Sequence, residues 1–143
     1  MQKEPFVSVL IANYNNSSYI QQCINSLNSQ TYKNLEIIFF DDNSSDNSLE
    51  IIKKFSNVKI IENKIQTKFG SLNQLNAFRK GIKISKGDVI FLLDSDDYFK
   101  NEKVEKIVNY FNTNKKAEIV FDYPFSVENK NIYIDQNNNK ILK

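Results

Sequence analysis

The chain has 143 residues, a formal net charge of +2, 41% hydrophobic and 25% charged residues, a balance suited to one compact domain with a real core. Charge this close to neutral excludes the basic surface of a dedicated nucleic-acid binder, and the 18-to-1 excess of lysine over arginine reads as compositional bias rather than chemistry. Without histidine and with one cysteine, Cys23, the chain has no disulfide framework, Cys/His zinc site or histidine-based triad, so catalysis would fall to carboxylates, hydroxyls, lysines or a bound metal.

Apolar runs alternate with amphipathic segments along the whole chain, the pattern of a mainly parallel sheet flanked by helices. Val7 to Ala12 is a nearly continuous apolar run, as expected of a strand buried on both faces. Asn15 to Ser18 supply turn and N-cap side chains, and Ile20, Ile24 and Leu27 recur at helical spacing with Cys23 beside them as a core residue. Leu35 to Phe40 reads as the second strand, followed by Asp41-Asp42 and a turn and cap at Asn43 to Asp46. Leu49, Ile52 and Phe55 mark a second helix, and Val58 to Ile61 a third strand.

A polar loop from Asn63 to Ser71, holding Lys64, Lys68 and Gly70, precedes a third helix whose apolar positions are Leu75, Phe78 and Ile82. That helix is expected to stop at Lys86-Gly87, with Gly87 in the left-handed position that ends many helices. Asp88 to Leu93 is the most apolar strand and runs into Asp94-Ser95-Asp96-Asp97. A fourth helix carries Val104, Ile107, Val108 and Phe111, and Glu118 to Phe121 reads as a fifth strand. Val127 and Ile132-Tyr133-Ile134 suggest a hairpin, and the Asn137 to Asn139 tail a loose end. No apolar stretch approaches the roughly 18 residues of a membrane helix and the N-terminus does not read as a signal peptide, so a cytoplasmic location is expected.

The polar residues collect where strands end. Ligands of open parallel sheets bind beyond the carboxyl ends of the strands, where strand order reverses. If the first strand lies between the second and fourth, Asn13-Tyr14-Asn15, Asp41-Asp42 and the DSDD run line one crevice. Asp, Asn and Ser are also ordinary turn residues, which suffices to explain Asp41-Asp42 taken alone. Three acids in four residues after an apolar strand exceed what a turn needs. Clustered hard oxygen ligands suit Mg²⁺ or Mn²⁺, ions that take substrate phosphates as further ligands. Lys64 and Lys68 read as solvated loop charges, and Tyr14 as either a packing residue or a platform for a base.

These stretches resemble the family 2 glycosyltransferases of the GT-A fold, a Rossmann-like architecture for nucleotide-diphospho-sugar transfer. The resemblance rests on Val7 to Asn15, on Ser29-Gln30-Thr31-Tyr32 leading into Glu36 to Asp46, and on Lys86 to Asp97, in family order from about Val7 to Phe121. It implies a single nucleotide-sugar-binding domain over residues 1–143 and a glycosyltransferase acting in cell-surface polysaccharide or glycan synthesis. By position, Asp42 would accept a hydrogen bond from the base, with Ala12, Asn13 and Tyr14 packing on base and ribose. Asp94 and Ser95 would lie near the ribose or sugar, with Asp96 as main metal ligand and Asp97 beside it. The implied cofactor is Mn²⁺ or Mg²⁺, the donor a nucleotide-diphospho-sugar with a UDP-sugar favoured, and the acceptor a glycan or lipid-linked sugar. Peripheral membrane association and self-association are compatible with such a role.

Asn73 to Phe78 resemble the family stretch that begins the helix over the diphosphate, although Asn73 replaces a common Gly and Arg79 a common Asn. Ala12 stands where many members carry Pro. Only 46 residues follow Asp97, so the acceptor-binding region is largely missing from the expected pattern. Glu118, Asp122, Glu128 and Asp135 are available as a base for the acceptor hydroxyl, and no motif selects among them. The competing reading is a catalytically incomplete nucleotide-sugar binding module. A nucleotidylyltransferase would need a Gly-rich basic loop after the first strand, and a haloacid dehalogenase or receiver domain would place its acids there.

Overall fold

A computed structural model describes residues 4–121 and the backbone of 126–128 and 131–133. The chain divides into two compact units, Met1–Asn109 and Tyr110–Lys143. The first is built from β1 (Val7–Asn13), α1 (Ser17–Asn28), β2 (Leu35–Asp41), α2 (Ser48–Ile52), β3 (Val58–Glu62), α3 (Gly70–Ile84) and β4 (Val89–Asp94). The helix α4 (Lys103–Thr113) begins in it. The second contains a hairpin of β5 (Ser126–Glu128) and β6 (Asn131–Tyr133), antiparallel with Val127 opposite Ile132. The expected hairpin therefore forms, while its Ile134 and the Asn137 to Asn139 tail lie outside the described residues.

The sheet of the first unit is wholly parallel in the order β3-β2-β1-β4, so β1 lies between β2 and β4 as the crevice argument required. Side chains of a strand alternate between faces. Val7, Val9 and Ile11 of β1, Ile37 and Phe39 of β2 and Phe91 and Leu93 of β4 point to one face. There they meet Ile20, Ile24 and Leu27 of α1, Ile52 of α2 and Val104 and Val108 of α4. Cys23 is buried among them, and its thiol is pushed up to about 12, chiefly by burial and then by the charges of Asp97, Asp96 and Asp94. It is a core residue and no nucleophile.

The opposite face is covered by α3 alone, over β1 and β2. The expected apolar stripe of α3 is reversed here. Asn73, Ala77 and Gly81 are the buried positions, while Leu75 and Ile82 are 62% and 49% exposed. The reason is clearance: a Cβ on Gly81 would stand 3.1 Å from the Leu10 side chain, so only small residues let this helix sit so close to the sheet. Because α3 does not reach β4, Ile90 and Leu92 on this face stay exposed, and β4 is buried on one side only.

Three further expectations are corrected. Glu118 to Phe121 form no strand, and Ile119 and Phe121 are largely exposed. Gly87 does not terminate α3 in a left-handed conformation; α3 ends at Ile84 and no glycine has positive φ. Gly87 is needed for close approach instead, since a Cβ there would fall 2.4 Å from the Ser8 nitrogen. Its N–H donates to Ser8 Oγ at 2.9 Å. Finally, Asn16 and Asn47 occupy the caps of α1 and α2 without making side-chain cap bonds. Asp46 serves both helices, accepting from the N–H of Ser17 and of Ser48 at 2.9 Å each.

Candidate functional site

The turns after β1, β2 and β4 are tied into one rim. Asn15 and Asn43 take left-handed conformations, φ 52° and 57°, which asparagine tolerates better than most residues. The Asn15 side-chain oxygen accepts from the N–H of Ser45 at 2.8 Å, and Ser44 Oγ accepts from the N–H of Asn15 at 3.0 Å. Across the other side, Asn16 Nδ2 donates to Ser95 Oγ at 2.9 Å, and the Ser95 N–H donates to the Ala12 carbonyl at 3.1 Å. The rim is therefore fixed by side chains before any ligand arrives.

Inside it lies a cavity of about 480 Å³, within the range of small-molecule sites. Its floor is Ala12, Asn13 and Tyr14 at the end of β1; one wall carries Asp42, the opposite wall Asp94 and Asp96. The roof is the loop before α3 with the first turns of that helix, including Gln66, Lys68, Gly70 and Gln74. Strands two and four thus present their acids to one space, across β1.

The structure separates residues that adjacency in sequence could not. Asp41 is fully buried and is spent on the turn, accepting from Asn13 Nδ2 at 2.8 Å, Ser44 Oγ at 2.6 Å and the Ser44 N–H at 2.9 Å. Asp42, 6% exposed, faces the cavity. Of the DSDD run, Asp94 and Asp96 line the cavity, Ser95 is buried against Asn16, and Asp97 lies outside the lining. Asn13 Oδ1 is buried without a hydrogen-bond partner among the described residues, an acceptor left over on the cavity floor. Tyr14 is half exposed on the same floor.

The electrostatics follow from crowding. Burial raises the Asp94 carboxyl, the Gln74 amide 2.5 Å away lowers it, and the Asp96 charge raises it again, with a net rise. Asp97 is raised by burial and then by Asp96 and Asp94. Like charges gathered at one strand end are relieved by a cation. Among the described residues no three acidic or cysteine side chains converge on one point, so no complete protein cage for an ion exists. Two carboxylates on a cavity wall fit Mg²⁺ or Mn²⁺ nonetheless, because these ions take few protein ligands and complete their shell with water and phosphate.

Residues 8–142 match the family described as glycosyl transferase family 2. The chain belongs to this family. A family 2 relative from Escherichia coli, the UDP-Glc:alpha-D-GlcNAc-diphosphoundecaprenol beta-1,3-glucosyltransferase WfaP, is 37% identical over 130 residues, covering 91% of this chain and 47% of its own length. Among solved structures, S. aureus TarS 1-349 superposes with a TM-score of 0.68 at 25% identity, covering 76% of this chain and 32% of TarS, and the same protein has been solved with UDP-GlcNAc. The mannosyltransferase PcManGT from Pyrobaculum calidifontis, solved with GDP-Man and Mn²⁺, shares the fold at a TM-score of 0.57 and 18% identity, covering 68% of this chain and 29% of its own. The chain spans a third to a half of the length of the first curated relatives it matches. The fold is accordingly the GT-A, Rossmann-like fold of family 2 transferases.

Several cavity residues carry no sequence signal of their own. Gln66, Thr67 and Lys68 lie in a loop without periodicity, and Lys68 proves to be a lining residue rather than a remote solvated charge. Asn73 locks that loop to α3: its Oδ1 accepts from the Thr67 N–H at 2.9 Å and from Thr67 Oγ1 at 2.7 Å. The helix itself begins at Gly70, not at Asn73, so Gly70 and Lys68 stand at its positive end beside the cavity. Of the four acids considered as a base, Asp122 and Asp135 and the side chain of Glu128 lie outside the described residues, and Glu118 is exposed in the second unit. Among the described residues no helix is long and apolar enough to cross a membrane.

Proposed function

We propose that this chain is the donor-binding part of a glycosyltransferase that moves a sugar from a nucleotide-diphospho-sugar, a UDP-sugar by preference, to a glycan or lipid-linked acceptor in surface polysaccharide assembly. One observation carries the reading: Asp42 and the Asp94–Asp96 pair face each other across a cavity floored by β1. That arrangement suits a ligand with a hydrogen-bonding base at one end and a diphosphate at the other.

Asp42 takes the N–H of the base, with Tyr14 and Ala12 against base and ribose and Asn13 Oδ1 free to accept a hydroxyl. Asp94 and Asp96 hold a divalent cation with the diphosphate, Asp96 as principal ligand and Asp94 in place of the sequence-expected Asp97. When bound, Mg²⁺ or Mn²⁺ supplies stabilisation of the negative charge on the departing diphosphate. Lys68 and the N-terminal turn of α3 add positive potential on the same side. The names of the relatives support the donor class, since WfaP is named for UDP-Glc and TarS has been solved with UDP-GlcNAc.

A thermal-shift panel of UDP-, GDP-, CDP- and dTDP-sugars, each with and without Mn²⁺, tests this directly. A UDP-sugar with Mn²⁺ is expected to raise Tm by on the order of 5–10 °C at saturating concentration. No stabilisation by any donor under either condition refutes the reading.

A further inference from the structure

We propose that Asn63 is a positioning residue that restricts Asp42 to a single hydrogen-bond donor from the nucleobase, so that the site accepts a uracil edge and rejects the paired donors of guanine. This rests on the nucleotide-binding reading of the cavity and names what sets its base preference.

Asp42 has two carboxylate oxygens, and the structure treats them differently. Oδ1 accepts from Asn63 Nδ2 at 2.6 Å. The Asn63 amide cannot turn over to release it. Its Nδ2 also donates to the Ile65 carbonyl at 2.6 Å, its Oδ1 accepts from Lys80 Nζ at 3.2 Å, and its backbone N–H donates to the Asp41 carbonyl at 2.8 Å. A flipped amide would set oxygen against a carboxylate and a carbonyl, and a nitrogen donor against an ammonium group. Lys80 is itself held 5.2 Å from the centre of the Phe40 ring. Oδ1 is therefore committed before a ligand arrives.

Oδ2 is the oxygen left for a ligand. Gln66 Nε2 donates to the backbone carbonyl of Asp42 and reaches Oδ2 only at 3.2 Å. A base donor can take Oδ2 while Gln66 keeps the carbonyl. Uracil presents one ring N–H between two carbonyl oxygens, which matches one open acceptor. Guanine presents a ring N–H and an amino group side by side, and these pair best with both oxygens of one carboxylate. With Oδ1 taken, the amino group enters a buried site without an acceptor, which is costly. Cytosine turns an acceptor nitrogen toward Oδ2 and is repelled.

The test is competition of UDP, IDP and GDP against a labelled UDP, on wild type, Asn63→Ala and Lys80→Met. IDP and GDP share one ring system and differ by the 2-amino group alone, so their ratio reads the second acceptor without a contribution from size. Wild type is expected to bind UDP and to bind GDP no better than IDP. Asn63→Ala frees Oδ1 and should improve GDP relative to IDP by about tenfold or more. Lys80→Met, which only unlatches the amide, should move the ratio the same way by less. An unchanged ratio in Asn63→Ala, including the case in which neither purine competes, overturns the proposal while leaving the nucleotide site standing. Loss of labelled UDP from a folded Asn63→Ala chain also overturns it, because Asn63 would then be a direct contact. Failure of UDP to bind wild type removes the underlying reading as well.

Discussion

The two faces of the sheet are built to different ends. The face under α1, α2 and α4 is a continuous apolar core in which the few polar groups are matched internally. Gln30 shows this: fully buried, it donates to the carbonyls of Ser26 and Lys100 at 2.9 Å each and accepts from the N–H of Val104 at 3.1 Å, opening α4. The face under α3 is packed through Ala77 and Gly81, and beyond them the helix and its loop turn polar groups toward the cavity. One face holds the strand ends in place, and the other leaves them something to hold. Changes on the first should therefore alter stability and spare ligand affinity per folded molecule, and changes in the cavity should do the reverse.

Gln30→Ala gives the largest expected break in that division on the stability side. Three buried hydrogen bonds go at once, and we expect a loss of about 2–3 kcal/mol in urea unfolding, with nucleotide affinity of the folded fraction unchanged. A change in affinity as large as the change in stability would show that the two faces are not separable.

Asp46 sharpens the comparison at the rim, with a smaller effect. Burial alone would raise its carboxyl, but hydrogen bonds from Ser48 and Ser17 outweigh it and bring the group down to about 2 from the ordinary 3.8. A depressed carboxyl adds stability that is complete above its ordinary value and is lost as pH falls toward about 2. Asp46→Ala should cost about 1–2 kcal/mol near neutral pH, the worth of the helix-start bonds it makes. Unfolding curves of wild type and variant should converge as pH falls from 4 toward 2. A gap that persists through that window would mean that Asp46 acts by packing rather than by charge.

Much of this arrangement was legible in the residues themselves, for a physical reason. Strands of a parallel sheet buried on both faces must be apolar runs, and β1 and β2 are. Acids that follow such runs then mark the ligand-binding edge, and strand order brought Asp42, Asp94 and Asp96 to one cavity. The α3 face was read backwards because large apolar residues at helical spacing ordinarily mark the buried side. Here clearance against Leu10 admits only Ala77 and Gly81, and Leu75 and Ile82 are left outside. Glu118 to Phe121 have strand-like composition, but composition cannot supply a ladder partner, and none pairs with them among the described residues. Neighbours in sequence were the hardest to sort. Asp41 and Asp42 differ only in which side of the strand end they face, and that decides turn chemistry for one and ligand chemistry for the other. Asn63 and Gln66 had no signal at all, since their meaning depends on a carboxylate about twenty residues earlier.

The central claim is that acids from two strand ends act on one ligand, Asp42 on its base and Asp96 on its cation-bound diphosphate. Calorimetry of UDP binding with and without Mn²⁺, on wild type, Asp42→Ala and Asp96→Asn, tests it most directly. Asp42→Ala should weaken UDP by about tenfold, the loss of one buried hydrogen bond, and keep the gain from Mn²⁺. Asp96→Asn should bind UDP alone as wild type does and lose that gain. An Mn²⁺ effect that survives intact in Asp96→Asn, or UDP affinity untouched in Asp42→Ala, would contradict the account.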